Sequence, residues 1–294
     1  MDPAPVTALR LLKVTQGGVA HLEDLVATEE PLALRLGYST PLGREQRELA
    51  VTMRTPGNDF ELALGFLFTE GIITSAADVL SIRHCSDRET QGQAGNVLKI
   101  ELSDSLSLPR HIFQRQSFIS SSCGVCGKAS IEAVRVHVPA PAGADTVRFH
   151  AGLLNAFPGT VSAQQRVFGV TGGLHAAALF DDAGSLLALR EDVGRHNAVD
   201  KLIGHALSQG LLPLRAQILF LSGRASFELV QKAALAGLPV VCSVGAPSSL
   251  AVQCALEFGI TLAGFLRENR FNLYSGQHRL LRAHPGEARA GTPS

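Results

Sequence analysis

Between residues 217 and 266, short apolar runs alternate with helical patterns of about ten residues, each closed by a glycine. Residues 217–222 read as a buried strand. Residues 225–236 follow a helical period and stop at Gly237, which can take the left-handed conformation, while Pro239 prevents continuation. The cycle then repeats. Residues 240–244 read as a strand, 248–258 as a helix with Pro247 near its first turn and Gly259 as its stop, and 260–265 as a strand. Two consecutive strand–helix–strand units require a parallel sheet covered by helices. Upstream, 175–180 and 186–190 flank Asp181-Asp182-Ala183-Gly184, a hairpin signal, and 197–207 reads as a helix. The C-terminal half should therefore be α/β, with a mixed sheet made of one hairpin and several parallel strands.

The N-terminal half is less regular, and its first forty residues carry no clear signature. Residues 48–54 look like a strand entering Thr55-Pro56-Gly57-Asn58-Asp59, a turn whose polar residues can cap a helix running to Glu70 and stopping at Gly71. Residues 86–95 are polar and read as an exposed loop. Pro139-Ala140-Pro141-Ala142-Gly143 suits a domain boundary. The expected organisation is a smaller α+β domain over 1–142, a second domain over 143–282 and a disordered tail over 283–294.

The 294 residues and 46% apolar content can fill a real core, which excludes a chain disordered throughout. Lys plus Arg balance Asp plus Glu at 26 each, so no net charge draws the chain to nucleic acid or an anionic membrane. The first residues lack a basic, apolar leader, and no apolar run approaches the ~20 residues that span a bilayer. A cytoplasmic protein is expected. Three of the five cysteines (Cys85, Cys242 and Cys254) stand singly, without the spacing of a disulfide framework.

The remaining two define the sharpest local signal, Ser120-Ser121-Ser122-Cys123-Gly124-Val125-Cys126-Gly127-Lys128. Two thiols at this spacing can share a metal, close a disulfide, or act as nucleophile and resolving partner. A structural zinc site needs four ligands, and no second pair exists, so no metal is expected. An inert pair would sit inside a strand or helix, whereas Ser and Gly surround this one and favour an exposed, mobile loop. A helical pattern over 129–136 places an N-terminus beside Cys126 and Lys128, and positive potential there enriches the thiolate. Gly127-Lys128 is no phosphate loop, because Ala129 and Ser122 stand where Ser/Thr and Gly are needed. Gly169-Val170-Thr171-Gly172-Gly173 likewise lacks the dinucleotide spacing and reads as a tight turn or a close backbone approach.

Two further polar stretches follow predicted strands, where open α/β sheets bind ligands. In Glu191-Asp192-Val193-Gly194-Arg195-His196-Asn197, Asp192 and Asn197 could cap the next helix, while Arg195 and His196 more naturally face a phosphate or a base. Arg224, within Ser222-Gly223-Arg224-Ala225-Ser226, sits before a helix N-terminus that can receive an anion. After the last strand, Phe265, Leu266, Arg267, Glu268, Asn269, Arg270 and Phe271 set two guanidinium groups among aromatics, which suits a phosphorylated heterocycle or an ordinary charged turn.

From about Arg47 to Ser275 the sequence resembles the formate dehydrogenase accessory sulfurtransferase family, FdhD. The resemblance rests on Arg54-Thr55-Pro56-Gly57, Gly65-Phe66-Leu67 with Glu70-Gly71, Cys123-Gly124-Val125-Cys126-Gly127, Thr171-Gly172-Gly173-Leu174-His175, the run from Glu191 to Lys201, Ser222-Gly223-Arg224 and Phe265-Leu266-Arg267, all in order. It implies a sulfurtransferase that takes sulfur from a cysteine desulfurase as a persulfide and passes it to the molybdenum bis(molybdopterin guanine dinucleotide) cofactor of formate dehydrogenase, bound as a substrate. Cys123 matches the persulfide-bearing cysteine and Cys126 its partner. Phe265, Leu266, Arg267, Glu268, Asn269 and Arg270 match the cofactor-binding segment, to which the sequence adds His175, Arg195, His196 and Arg224. The implied fold of the C-terminal domain is cytidine-deaminase-like and three-layered. Deaminase chemistry is not implied, because His175-Ala176-Ala177 lacks the Glu of His-x-Glu and no Cys pair follows. The partners implied are the desulfurase, formate dehydrogenase and the molybdenum cofactor, with a homodimer possible and neither nucleic acid nor membrane expected. The competing readings are a cofactor-binding chaperone whose thiols carry no sulfur, and a zinc-dependent nucleotide deaminase.

Overall fold

The structure, a computed structural model, describes residues 4–85, 94–106, 108, 118–119 and 147–281. The architecture is mixed α/β and forms two compact units that interleave along the chain. The first comprises Met1–His137, Gln165–Ala177 and Arg190–Leu212, the second Val138–Gln164, Ala178–Leu189 and Pro213–Ser294. This is not the pair of consecutive domains that the Pro-Ala boundary suggests. The chain leaves the first unit at that boundary but returns to it twice.

The first unit is built on a five-stranded sheet in the order β5-β6-β3-β4-β7: β3 (Glu30–Thr40), β4 (Gly43–Arg54), β5 (Val79–His84), β6 (Val97–Leu102) and β7 (Phe118–Ile119). β3 and β4 form a hairpin, and β3 runs parallel to β6. Alternation sends Leu32, Leu34 and Leu36 of β3, with Leu98, Ile100 and Leu102 of β6, to one face. There they meet Leu62, Ala63, Phe66 and Leu67 of α1 (Asp59–Thr69) in one core. Asn58, at φ 57, makes the entry turn of α1 without any side-chain cap, unlike the capping expected of the 55–59 turn. A separate two-stranded sheet, β1 (Val6–Thr15) with β2 (Gly18–Ala27), occupies a stretch the sequence pattern left unassigned.

α4 (Arg195–Ser208) crosses α1 at a glycine pair. A Cβ on Gly65 would strike the Asp200 carbonyl, and one on Gly204 the Glu61 carbonyl, so only glycine permits this approach. Above the crossing, Thr69 Oγ1 donates to Asp200 Oδ1 at 2.9 Å.

The second unit carries most of a six-stranded sheet in the order β10-β9-β11-β12-β13-β14: β9 (His175–Phe180), β10 (Leu186–Asp192), β11 (Ile218–Leu221), β12 (Val240–Ser243), β13 (Thr261–Arg267) and β14 (Arg270–Ser275). β9 and β10 pass from one unit into the other. β11, β12 and β13 are parallel, as their helix-linked connections require, and the residues of β11 and β12 are all buried. α5 (Phe227–Leu235) and α6 (Ser249–Glu257) connect them, within two residues of the expected bounds. β14 closes the edge in antiparallel fashion, an element the pattern did not reveal. On α2 (Ala151–Gln164), Phe157 stacks on Phe180 at 3.8 Å between ring centroids, and Phe220 meets Phe180 edge-on. The short α3 (Arg166–Thr171) ends at Gly172, which is left-handed.

Candidate functional site

At the carboxyl ends of β11, β12 and β13, three loops of the second unit lie against one another. The loop after β11 reads Ser222-Gly223-Arg224-Ala225-Ser226, and the one after β12 reads Val244-Gly245-Ala246-Pro247-Ser248. Gly245 N–H donates to the Gly223 carbonyl at 2.9 Å, Ser248 N–H donates to Ala225 at 3.0 Å, and Ala225 bridges Pro247. Each loop ends in a serine at the N-cap of a nine-residue helix, and Ser248 accepts from Ala251 N–H. Two glycines make the fit possible. A Cβ on Gly245 would crowd Arg224, and one on Gly264 would lie 2.8 Å from Pro247 Cδ.

The third loop is the predicted cofactor segment. Phe265 N–H donates to the Gly245 carbonyl at 3.1 Å, and Arg267 donates to the Val244 carbonyl at 2.9 Å. Phe265 sits at φ 54, one of two non-glycine residues with positive φ among the described residues, at an irregularity of the β13–β14 register, and it is 42% exposed. Arg224, Arg267, Glu268, Asn269 and Arg270 are exposed. Leu266 alone of the segment is fully buried, so its side chain belongs to the core and cannot reach a ligand. The surface therefore offers two helix N-termini, the guanidinium of Arg224, those of the Arg267–Arg270 pair and a projecting aromatic ring. That chemistry suits phosphate oxygens beside a flat heterocycle. The sequence pointed to the first and third loops. It missed the second, although the repeated Gly-x-Ala/Pro-Ser spacing signals it.

In the first unit, the stretch from Glu191 to Lys201 divides into pins and exposed groups. Asp192 is wholly buried. Lys201 Nζ lies 2.7 Å from its Oδ2, and Gly194 N–H and Asn197 Nδ2 donate to its Oδ1 at 2.8 and 3.0 Å. Lys201 also donates to the Thr55 carbonyl, Thr55 N–H donates to Asp192, and Asn197 donates to the Met53 carbonyl. Burial pushes the Asp192 carboxyl up, and Lys201 with the N–H donors pulls against it. Asn197 therefore neither caps α4 nor faces a ligand; it ties the helix to β4. The adjacent Arg54, with no exposed surface, donates to Asp59 through two nitrogens and to Asn96 and the Gly95 carbonyl, locking the same turn from its other side.

His175, Arg195 and His196 gather close to Asp192. Burial is the main cause that lowers the His175 pKa. Arg195 adds to it, Asp192 opposes it, and His196 contributes least. Arg195 opens the first turn of α4, and its buried Nε finds no partner among the described residues. This trio belongs to the first unit, whereas Arg224 and Phe265–Arg270 belong to the second.

Cys123, Cys126, their Ser/Gly-rich loop and the expected helix over 129–136 lie outside the described residues, as does the tail over 283–294. The three described cysteines are free and buried. Burial raises the Cys242 thiol far above its ordinary value and pushes Cys254 up to about 12. Thiols held protonated in a core are poor nucleophiles. Among the described residues no His/Cys/Asp/Glu cluster could hold a metal, and no helix is long and apolar enough to cross a membrane.

The geometry defines an α/β protein with a polar loop surface over parallel strands and its described thiols sealed in the core. The chain belongs to the FdhD/NarQ family, whose model matches residues 27–281. It is 50% identical over 272 residues to the sulfur carrier protein FdhD of Mycolicibacterium paratuberculosis, covering 92% of this chain and 97% of that protein. The proteins of the same name from Streptomyces avermitilis and Streptomyces coelicolor are 48% and 47% identical, over 92% and 95% of this chain and 94% and 97% of their own lengths. A crystal structure from Desulfotalea psychrophila, described as a formate dehydrogenase accessory protein, shares the fold with a TM-score of 0.72 at 24% identity, covering 94% of this chain and all of that one.

Proposed function

We propose that this chain is a cytoplasmic sulfur carrier for formate dehydrogenase maturation, with the sulfur riding on Cys123. The observation that carries the reading is the Cys123-Gly124-Val125-Cys126 pair within a chain matched to the family over residues 27–281, in which every described cysteine is buried. In loading, the Cys123 thiolate attacks the terminal sulfur of a cysteine desulfurase persulfide. The new S–S bond leaves a persulfide on Cys123 and returns the donor cysteine as a thiolate. In delivery, the Cys126 thiol attacks the inner sulfur of Cys123. A Cys123–Cys126 disulfide forms, sulfide departs to the molybdenum bis(guanine dinucleotide) substrate, and a dithiol reductant resets the pair. The phosphates and guanine of that substrate are taken up by Arg224, Arg267, Arg270 and Phe265.

The test loads Cys123→Ala and Cys126→Ala separately with a desulfurase and cysteine, then reads intact mass and activation of apo formate dehydrogenase. Cys123→Ala should gain no sulfur and activate nothing. Cys126→Ala should gain one sulfur atom but activate slowly. Wild-type behaviour in both variants rejects the carrier reading and leaves an escort of the cofactor that transfers no sulfur.

A further inference from the structure

The stretch that opens α4 carries two carboxylates, and both are committed elsewhere. Glu191 accepts the backbone N–H groups of Val167 and Phe168 at 3.1 and 2.8 Å, which turns it toward the start of α3. Asp192 accepts from Thr55 N–H and Lys201 on Oδ2 and from Gly194 N–H and Asn197 on Oδ1, four donors on a group with about four acceptor sites. It has no lone pair left for Arg195. The Nε of Arg195 is nevertheless buried without a partner among the described residues, and an unpaired buried donor, charged above all, costs free energy. Beside it stand His196, the next residue of α4, and His175, which opens β9 and feels the charges of both. Burial first and the Arg195 charge second hold the His175 pKa down, so its ring is neutral and keeps one N–H to donate. The helix itself starts at Gly194, which has no side chain to cap its first N–H groups.

We infer that Arg195, His175 and His196 form a site for a phosphate-type oxyanion within the first unit, in addition to the nucleotide surface of the second. The argument is charge and donor geometry. A guanidinium fork with two imidazoles beside it offers several donors to one ligand, and the local carboxylates that would otherwise neutralise the fork are occupied. A metal cation would be repelled by the guanidinium. A tetrahedral dianion, by contrast, has oxygens enough to take the fork and an imidazole N–H at once, and the uncapped start of α4 adds to its attraction. Asp192 then acts as a positioning residue: through Gly194, Asn197 and Lys201 it fixes the first turn of α4, and with it the backbone from which Arg195 and His196 project. Two sources share this ligand chemistry, free inorganic phosphate and the diphosphate of a nucleotide. The inference holds for either and does not depend on sulfur carriage by Cys123.

Inorganic phosphate titrated into the full chain tests it, followed by calorimetry and by the imidazole NMR signals of protein labelled with 15N-histidine. The signals of His175 and His196, assigned by changing each to Gln, should move together with one Kd on the order of 1 mM or below. Arg195→Gln should weaken phosphate binding by about tenfold or more, and Arg195→Lys, which keeps the charge but loses the fork, should recover only part of it. Melting temperatures without ligand show whether the variants are folded, and the wild-type signals decide the matter where a variant is not. Repeating the titration in saturating GDP separates the sources. An unchanged Kd assigns the site to a free oxyanion; a block by GDP, together with weaker GDP binding in Arg195→Gln, assigns it to the nucleotide's own phosphates. Wild-type signals that stay still, or a folded Arg195→Gln that binds phosphate as wild type does, overturn the inference, and neither result bears on desulfurase loading of Cys123.

Discussion

Phe265 is held where phenylalanine is least comfortable. A side chain at φ 54 crowds its own carbonyl, at a cost of about 1–2 kcal/mol relative to glycine, and the exposed ring recovers little of that through burial. A bulky residue kept there makes sense if the ring is used, and stacking on a guanine is worth ~1–3 kcal/mol. Phe265→Gly should therefore shift the two quantities in opposite directions. Stability by urea titration should rise by about 1 kcal/mol, as the left-handed strain is relieved. GDP affinity by calorimetry should fall by about tenfold or more. Unchanged affinity would remove Phe265 from the binding surface. The sequence named this residue but not its backbone strain, which depends on the β13–β14 irregularity. Conversely, residue type and position marked Leu266 alongside its neighbours, yet the strand alternation turns it into the core. Asp192 and Asn197 show the same limit. Their polarity was legible, but whether a buried polar group meets a ligand or another strand depends on contacts 137 and 144 residues away.

The crossing of α1 and α4 joins distant segments through glycine contacts at Gly65 and Gly204 and a polar clasp at Glu61. Arg190 donates to Glu61 through two nitrogens at 2.5 and 2.7 Å, and His205 Nδ1 lies 3.0 Å from the same carboxylate. Burial alone would raise the Glu61 pKa, but the hydrogen bond and charge of Arg190, joined by His205, outweigh it and hold the carboxyl below its ordinary value. A carboxyl with a depressed folded pKa contributes stability that is complete above the unfolded value and is lost as pH falls through the folded one. Glu61→Gln should thus be less stable than wild type from neutral pH down to about 4.5, and the margin should shrink below that. Urea midpoints measured against pH check this, and a margin that persists undiminished in acid would mean that packing, not charge, holds the clasp. Elements were well legible where periodicity was strong: β11, α5, β12, α6 and β13 fall within two residues of their expected bounds. β1 and β2 were not. Their apolar residues lie on both faces and many are exposed, so no alternation between buried and polar positions announces them.

At the scale of the molecule, the sequence suggested one boundary where the fold has an interleaved pair of units, because compactness is a matter of three-dimensional contact rather than chain order. Parallel order in the sheet could be inferred from strand–helix alternation, but the return of 165–177 and 190–212 to the first unit could not. The proposed division of labour places the thiol pair on Cys123 and Cys126 and the nucleotide surface on the loops after β11, β12 and β13, whose residues share no part of the chain with the Cys motif. Capture and sulfur transfer should therefore be separable. A ligand that binds only the folded state stabilises it by ~2.7 kcal/mol at a hundredfold excess over its Kd, enough to raise the melting temperature by roughly 5 °C in a chain of this size. GDP should raise it by that much in wild type and equally in Cys123→Ala, which cannot carry sulfur. In Arg224→Ala combined with Arg270→Ala the shift should shrink to a small fraction, while desulfurase loading of Cys123 proceeds as in wild type by intact mass. Both side chains are exposed, so the double variant should melt normally without ligand. If Cys123→Ala loses the GDP shift, or the arginine pair keeps it in full, the nucleotide is held elsewhere and the two activities share a site.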